Sequence, residues 1–334
     1  MNIVVLDGHA LNPGDLSWDT LASMGSLTVY PRTETSMVIP RCQDAEIVLT
    51  NKVPFTEETF AQLPRLRFIG VTATGYNIID MEAARRHQVI VSNIPAYSTA
   101  SVAQTVFAML LTITNRVEHY THQIIQEGSW THSADFCYWD TSLTELEGKR
   151  MGIVGVGGIG SRVASMAQAF GMDVVALSRR PQKDLPLGVT KLEGDAFWSS
   201  CHIISLHCPL TPATHHLISD STLSLMRPGT ILINTSRGAV VDEQAVADAL
   251  RSGLLSAYAA DVLSTEPPQP HNPLLAAPNV FLTPHIAWAT REARMRLLHI
   301  LEDNVRAFIQ GAFLKRGESL SPSSNSHILI LCVP

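Results

Sequence analysis

Three residues of this 334-residue chain, Arg237, Glu266 and His285, have types and an order suited to proton transfer beside an anionic group. His285 can release a proton near neutral pH as imidazolium and take it back as imidazole. Arg237 is a fixed cation that can pair with a carboxylate and polarise a neighbouring carbonyl oxygen. Glu266 could accept a hydrogen bond from the imidazole. Taken singly, each has a plainer reading: a capped surface histidine, a turn carboxylate beside Pro267, a strand-end arginine before Gly238. Together they suit proton transfer to a carbonyl oxygen beside a carboxylate, with a separate group to carry hydride.

The hydride carrier has its own signal. Gly155-Val156-Gly157-Gly158-Ile159-Gly160 lies between the apolar run 151–154 and a helical stretch, 161–170. In that setting the first glycine allows a tight turn, the second lets backbone approach a pyrophosphate, and the third lets helix pack on strand. The helix start offers free N–H groups and a positive dipole end to phosphates. A nicotinamide dinucleotide is therefore expected. An NAD site usually has a carboxylate about 20 positions on, where it meets the ribose hydroxyls. Here the second strand, 173–177, ends in Ser178-Arg179-Arg180. A hydroxyl and a guanidinium welcome a 2′-phosphate, so NADP(H) is expected over NAD(H). The alternative is that both arginines are solvated loop charges.

These groups must be positioned by strands that end beside them. Strand candidates at 3–6, 27–30, 47–49, 68–71 and 89–91 alternate with helical stretches such as 15–24 and 80–87. A second series begins at 151 and continues through 174–177, 203–206, 230–233, 257–260 and 280–282. Strands alternating with helices imply parallel sheets with right-handed crossovers. A long helix over 101–127, with Val102, Val106, Met109, Leu110 and Ile113 at helical spacing, precedes the second series, and another over 290–310 follows it. The expected class is α/β: two Rossmann-like parallel-sheet domains, with the dinucleotide-binding domain (101–287) inserted into a flavodoxin-like substrate domain (1–100 plus 288–334). The end of the chain changes character, with a serine-rich run at 319–326 reading as a linker before the apolar residues 328–333.

Composition bounds the rest. Hydrophobic residues make up 46% and charged residues 16%, as in a globular protein. A net charge of −6 without a Lys/Arg cluster argues against a nucleic-acid partner. No stretch has the roughly 20 apolar residues needed to span a bilayer. The start, Met1 to Asp7, reads as a strand and not a signal peptide, so a cytoplasmic location is expected. The five cysteines form no C-x-x-C pair, and Cys201, His202, His207 and Cys208 fit no common zinc spacing; no metal is expected.

The runs Ile233-Asn234-Thr235-Ser236-Arg237-Gly238, Asp261-Val262-Leu263-Ser264-Thr265-Glu266-Pro267 and Thr283-Pro284-His285 resemble the D-isomer-specific 2-hydroxyacid dehydrogenase family in order and spacing. The resemblance extends from Met1 to about Gly311. Leu49-Thr50-Asn51-Lys52, Ala73-Thr74-Gly75-Tyr76-Asn77 and 93–99 look most like the glycerate dehydrogenase (hydroxypyruvate reductase) branch. It implies a small 2-keto or 2-hydroxy acid substrate, met by Asn51, Lys52 and the 73–75 loop as well as by Arg237 and His285. It also implies cofactor contacts from His207-Cys208-Pro209, Thr235, Ser236 and Asp261, the last facing the nicotinamide carboxamide. A homodimer through the 101–127 region is expected, since two-fold dimers are the commonest assembly. Trp139 resembles a tryptophan that reaches the partner's active site in some hydroxypyruvate reductases. Gln104 departs from the family, where a glutamate is common. D-lactate and D-3-phosphoglycerate dehydrogenases remain alternatives, as does an NAD(H)-sensing corepressor of the same fold.

Overall fold

The computed structural model describes residues 1–311, so the serine-rich run and apolar end lie outside the described residues. The chain forms two compact units: Met1–Ser98 with the chain from Ala289, and Thr99–Trp288. Each is built on one parallel sheet.

The first unit has five strands, β1 (Asn2–Val5), β2 (Ser26–Val29), β3 (Ile47–Thr50), β4 (Phe68–Val71) and β5 (Ile90–Ser92), in the order β2-β1-β3-β4-β5. This is the flavodoxin-like winding, with its switch point between β1 and β3. β3 and β4 are buried along their whole length, as interior strands of a parallel sheet must be. The helix Arg291–Ile309 returns to this unit and lays Leu301 against β4. Its Arg294 is 8% exposed and pairs through two nitrogens with Asp15, at 2.7 and 2.6 Å.

The second unit has seven strands, β6 (Arg150–Val154), β7 (Asp173–Leu177), β8 (Val189–Lys191), β9 (Ile203–Leu206), β10 (Thr230–Asn234), β11 (Leu255–Ala260) and β12 (Val280–Leu282), in the order β12-β11-β10-β9-β6-β7-β8. Alternate residues supply opposite faces. Val175, Ile204, Leu232 and Tyr258 enter one core, and Ile153, Val174, Ile203, Ile233 and Ala259 enter the other. Both faces are covered, which explains the unbroken apolar runs in the sequence.

Three expectations need correcting. The helix expected over 101–127 is two helices, Thr99–Asn115 and Val117–Gln126, broken at Arg116, which adopts φ 54°. The first buries the expected apolar positions, whereas the second buries none. The helix expected over 15–24 shrinks to Asp19–Ala22. Asn12 prevents an earlier start: its carboxamide oxygen accepts from the Gly14 and Leu16 N–H groups, and its Nδ2 donates to the Leu16 carbonyl. Strand β8 was not expected at all. Among the described residues no helix is long and apolar enough to cross a membrane.

Candidate active site

All the expected residues of the second unit lie at or beyond the carboxyl ends of its strands, the ligand-binding edge of an open α/β sheet. The glycine loop follows β6, Ser178-Arg179 follows β7 and His207-Cys208-Pro209 follows β9. Thr235-Ser236-Arg237 follows β10, Asp261 follows β11 and His285 follows β12.

His285 Nδ1 lies 2.6 Å from Glu266 Oε2. An ionised carboxylate only accepts, so Nδ1 carries the proton and Nε2 is left for exchange. Among the described residues Nε2 has no hydrogen-bond partner, and the side chain is 32% exposed. The second Glu266 oxygen accepts the Leu263 N–H at 3.1 Å. The histidine backbone is left-handed, with φ 55°, a conformation that persists only where neighbours over-determine it. Asp261, 2% exposed, does so by accepting from the Thr283 hydroxyl (2.6 Å) and the Ile286 and Ala287 N–H groups (2.8 and 2.9 Å). The Trp288 indole N–H donates to the His285 carbonyl at 2.8 Å. The residue read as a cofactor contact thus has both oxygens engaged by the histidine loop.

Arg237 is exposed. Its guanidinium donates to the Ser236 carbonyl at 2.7 Å and makes no ion pair among the described residues, leaving donors for an incoming carboxylate. The buried Asn234 shapes this loop: Oδ1 accepts from the Ser236 N–H (3.0 Å) and hydroxyl (2.8 Å), and Nδ2 donates to the Arg237 carbonyl (3.0 Å). Gly238 must be glycine, because a Cβ there would lie 1.9 Å from the Leu263 carbonyl carbon.

The glycine loop fits a dinucleotide. Gly155 has φ 91°, and a Cβ on it would meet the His207-Cys208 backbone at 2.9 Å. A Cβ on Gly160 would meet the Gly155 carbonyl oxygen at 2.2 Å, while the space over Gly157 is open. The helix Gly158–Ala169 starts from Gly157 without a side-chain cap, so its first N–H groups await an acceptor. Ile159 packs against the core behind them. The buried Thr235 hydroxyl and His207 Nδ1 also lack partners among the described residues. Gly160→Ala is expected to push the helix off the strand and weaken dinucleotide binding by at least about tenfold. Fluorescence titration of the variant measures it.

His207 Nε2 meets the Ser205 hydroxyl at 2.8 Å, and burial pushes the imidazole down to about 4 from its usual 6.5. The folded chain therefore holds this ring neutral where the unfolded chain protonates it. Its contribution to stability is intact above about pH 6.5 and is lost progressively toward pH 4, by up to about 3 kcal/mol. His207→Gln should flatten the pH dependence of chemical denaturation midpoints across that window.

In the first unit, Asn51 and Lys52 follow β3, and Ala73-Thr74-Gly75 follow β4. Asp7, beyond β1, accepts the Asn51 and Lys52 N–H groups at 2.8 and 2.7 Å. Asn51 Nδ2 donates to the Thr72 carbonyl at 2.9 Å, and Asn93 Nδ2 to the Thr74 carbonyl at 2.7 Å. Lys52 is exposed and makes no ion pair among the described residues. The sequence reading gives Asp7, Asn93 and Asn234 no role in the site, although an Asp or Asn just past a strand is a recognisable loop-shaping signal.

Residues 107–287 match the sequence profile described as "D-isomer specific 2-hydroxyacid dehydrogenase, NAD binding domain". A hydroxypyruvate reductase of Blautia hydrogenotrophica is 45% identical over 316 residues, covering 93% of this chain and 98% of that one. The chain belongs to the D-isomer specific 2-hydroxyacid dehydrogenase family. The glycerate dehydrogenase of Methylorubrum extorquens is 38% identical over 276 residues, 82% of this chain and 86% of the relative. Among solved structures, the D-lactate dehydrogenase of Aquifex aeolicus, complexed with NAD and lactic acid, superposes with a TM-score of 0.79 at 29% identity, covering 95% of this chain and 97% of the other. Within the family the resemblance is to the glycerate dehydrogenase and hydroxypyruvate reductase branch, and the cofactor is a nicotinamide dinucleotide.

Proposed function

We propose that this 2-hydroxyacid dehydrogenase reduces small 2-keto acids, hydroxypyruvate to D-glycerate first and glyoxylate to glycolate second, with NADPH preferred to NADH. The 2.6 Å hydrogen bond from His285 Nδ1 to Glu266 carries the reading, because it leaves Nε2 as the one ring position for proton exchange. When bound, the reduced nicotinamide supplies the hydride. His285 gives its Nε2 proton to the oxygen that becomes the alcohol, and recovers it in the oxidative direction. Arg237 holds the substrate carboxylate and polarises the keto oxygen. In the first unit, Asn51, Lys52 and the N–H groups of the 73–75 loop are proposed as substrate contacts. The glycine loop, His207-Cys208-Pro209, Thr235 and Ser236 hold the cofactor.

The NADPH preference rests on the end of β7, where Ser178 and the exposed Arg179 stand in place of a carboxylate. A substrate panel followed at 340 nm with both cofactors tests both proposals. Hydroxypyruvate turnover with NADPH favoured is expected, and Arg179→Ala should erase the preference. Faster turnover with NADH would overturn the cofactor choice. Cofactor binding without turnover of any small keto acid would favour the sensor.

We also propose a homodimer through the 101–127 region. The helix Val117–Gln126 and the segment after it leave Val117, Ile125, Trp130, Phe136, Trp139 and Leu143 exposed, a concentration of apolar surface typical of an interface. Light scattering giving a monomer mass would refute it.

A further inference from the structure

We propose that Glu243 is a positioning residue that sets Glu266 against His285; the inference rests on the reductase reading above. Glu243 opens the helix Glu243–Arg251, 23 residues before Glu266 in sequence. Its Oε1 accepts the Ser264 N–H at 2.7 Å, and its Oε2 accepts the Ser264 hydroxyl at 2.8 Å and Asn272 Nδ2 at 2.7 Å. Three hydrogen bonds from one carboxylate thus hold both sides of the loop that carries Glu266.

Few other polar contacts hold that loop. Among the described residues no backbone-to-backbone hydrogen bond reaches residues 262–268. The Leu263 N–H is taken by Glu266 itself. The other constraints are packing: Val262 is buried, Leu263 lies against the hydrophobic core, and Gly238 lets the Leu263-Ser264 backbone approach the Arg237 loop. A carboxylate suits the place because all three groups facing it are donors, whereas an amide would turn a donor toward Asn272. Asn272 is 8% exposed, so that mismatch would be buried.

The test uses the full-length protein. In Glu243→Gln the amide nitrogen confronts the Asn272 amide, and kcat with hydroxypyruvate is expected to fall about tenfold while cofactor Kd stays within about twofold. Adding Asn272→Asp restores an acceptor for that amide and keeps the oxygen that caps the Leu274 N–H at 3.0 Å. The double variant should return to within about threefold of wild type. A readout without turnover is the His285 Nδ1 proton in the NMR spectrum, assigned by its loss in His285→Asn. It should move upfield in the single variant and return in the double. A single variant with unchanged kcat and proton shift overturns the inference. So does a double variant that regains thermal stability but neither kcat nor the proton shift. Failure of the wild type to reduce any keto acid would instead sink the reductase reading, and the proton shift would still report on Glu243.

Discussion

Alanine at His285 is expected to lower kcat by about 10²–10⁴-fold while leaving cofactor Kd within about threefold. Three features of the site set that size. The ring is tied through Nδ1 to Glu266, so only Nε2 can exchange a proton. No other group among the described residues bonds to Nε2 and could replace it. The loss therefore falls on the chemical step and not on ground-state binding. Alanine also meets a backbone cost, because φ at this position is 55°. His285→Asn separates the two effects, since asparagine tolerates the left-handed region better but cannot relay a proton near neutral pH. Both variants should lose rate alike, with alanine alone losing extra stability. Steady-state kinetics with calorimetry reads both. Retention of wild-type kcat in either variant would remove His285 from proton transfer.

Arg237→Ala should lower kcat/KM by about 10²–10³-fold, with kcat falling and KM for the keto acid rising together. One guanidinium serves the bound carboxylate and the charge that grows on the keto oxygen, so ground and transition states both lose. Among the described residues its guanidinium hydrogen-bonds only to the adjacent Ser236 carbonyl, so the fold should hardly notice. Arg237→Lys should recover only part of the loss, because an ammonium lacks the fork that meets a carboxylate through two donors. If KM and kcat were both unchanged in the alanine variant, Arg237 would not touch substrate.

Much of this was legible in the sequence because both sheets are covered on both faces. Apolar runs such as Ile203–Leu206 then mark strands, and the chemistry follows at their carboxyl ends. The glycine loop, Arg237, Glu266 and His285 all sit within a few residues of such ends. Other features left little local trace. Asn115 is only a weak stop signal, and the left-handed residue that breaks the helix is Arg116, which is neither Gly nor Asn. Strand β8 is three residues long and only one of them, Val189, is buried, so it offers no period to detect. Glu243 acts across 21 to 29 residues of sequence, and Asp7 across 44 to 45. Carboxylates that fix a loop from that distance look like ordinary surface charges until the fold brings them together.

The return of the chain at Ala289 sets an order of assembly on the ribosome. Residues 99–288 are continuous and can complete their own core as soon as they emerge. The five strands made first must wait, because the helix that lays Leu301 on β4 and the Arg294 that grips Asp15 are translated about 200 residues after Ser98. At ~5–20 residues per second that delay lasts roughly 10–40 s, during which the flank of an apolar sheet stands open. The amino-terminal strands are thus made first and finished last, and chaperone demand and nascent-chain aggregation should be concentrated there.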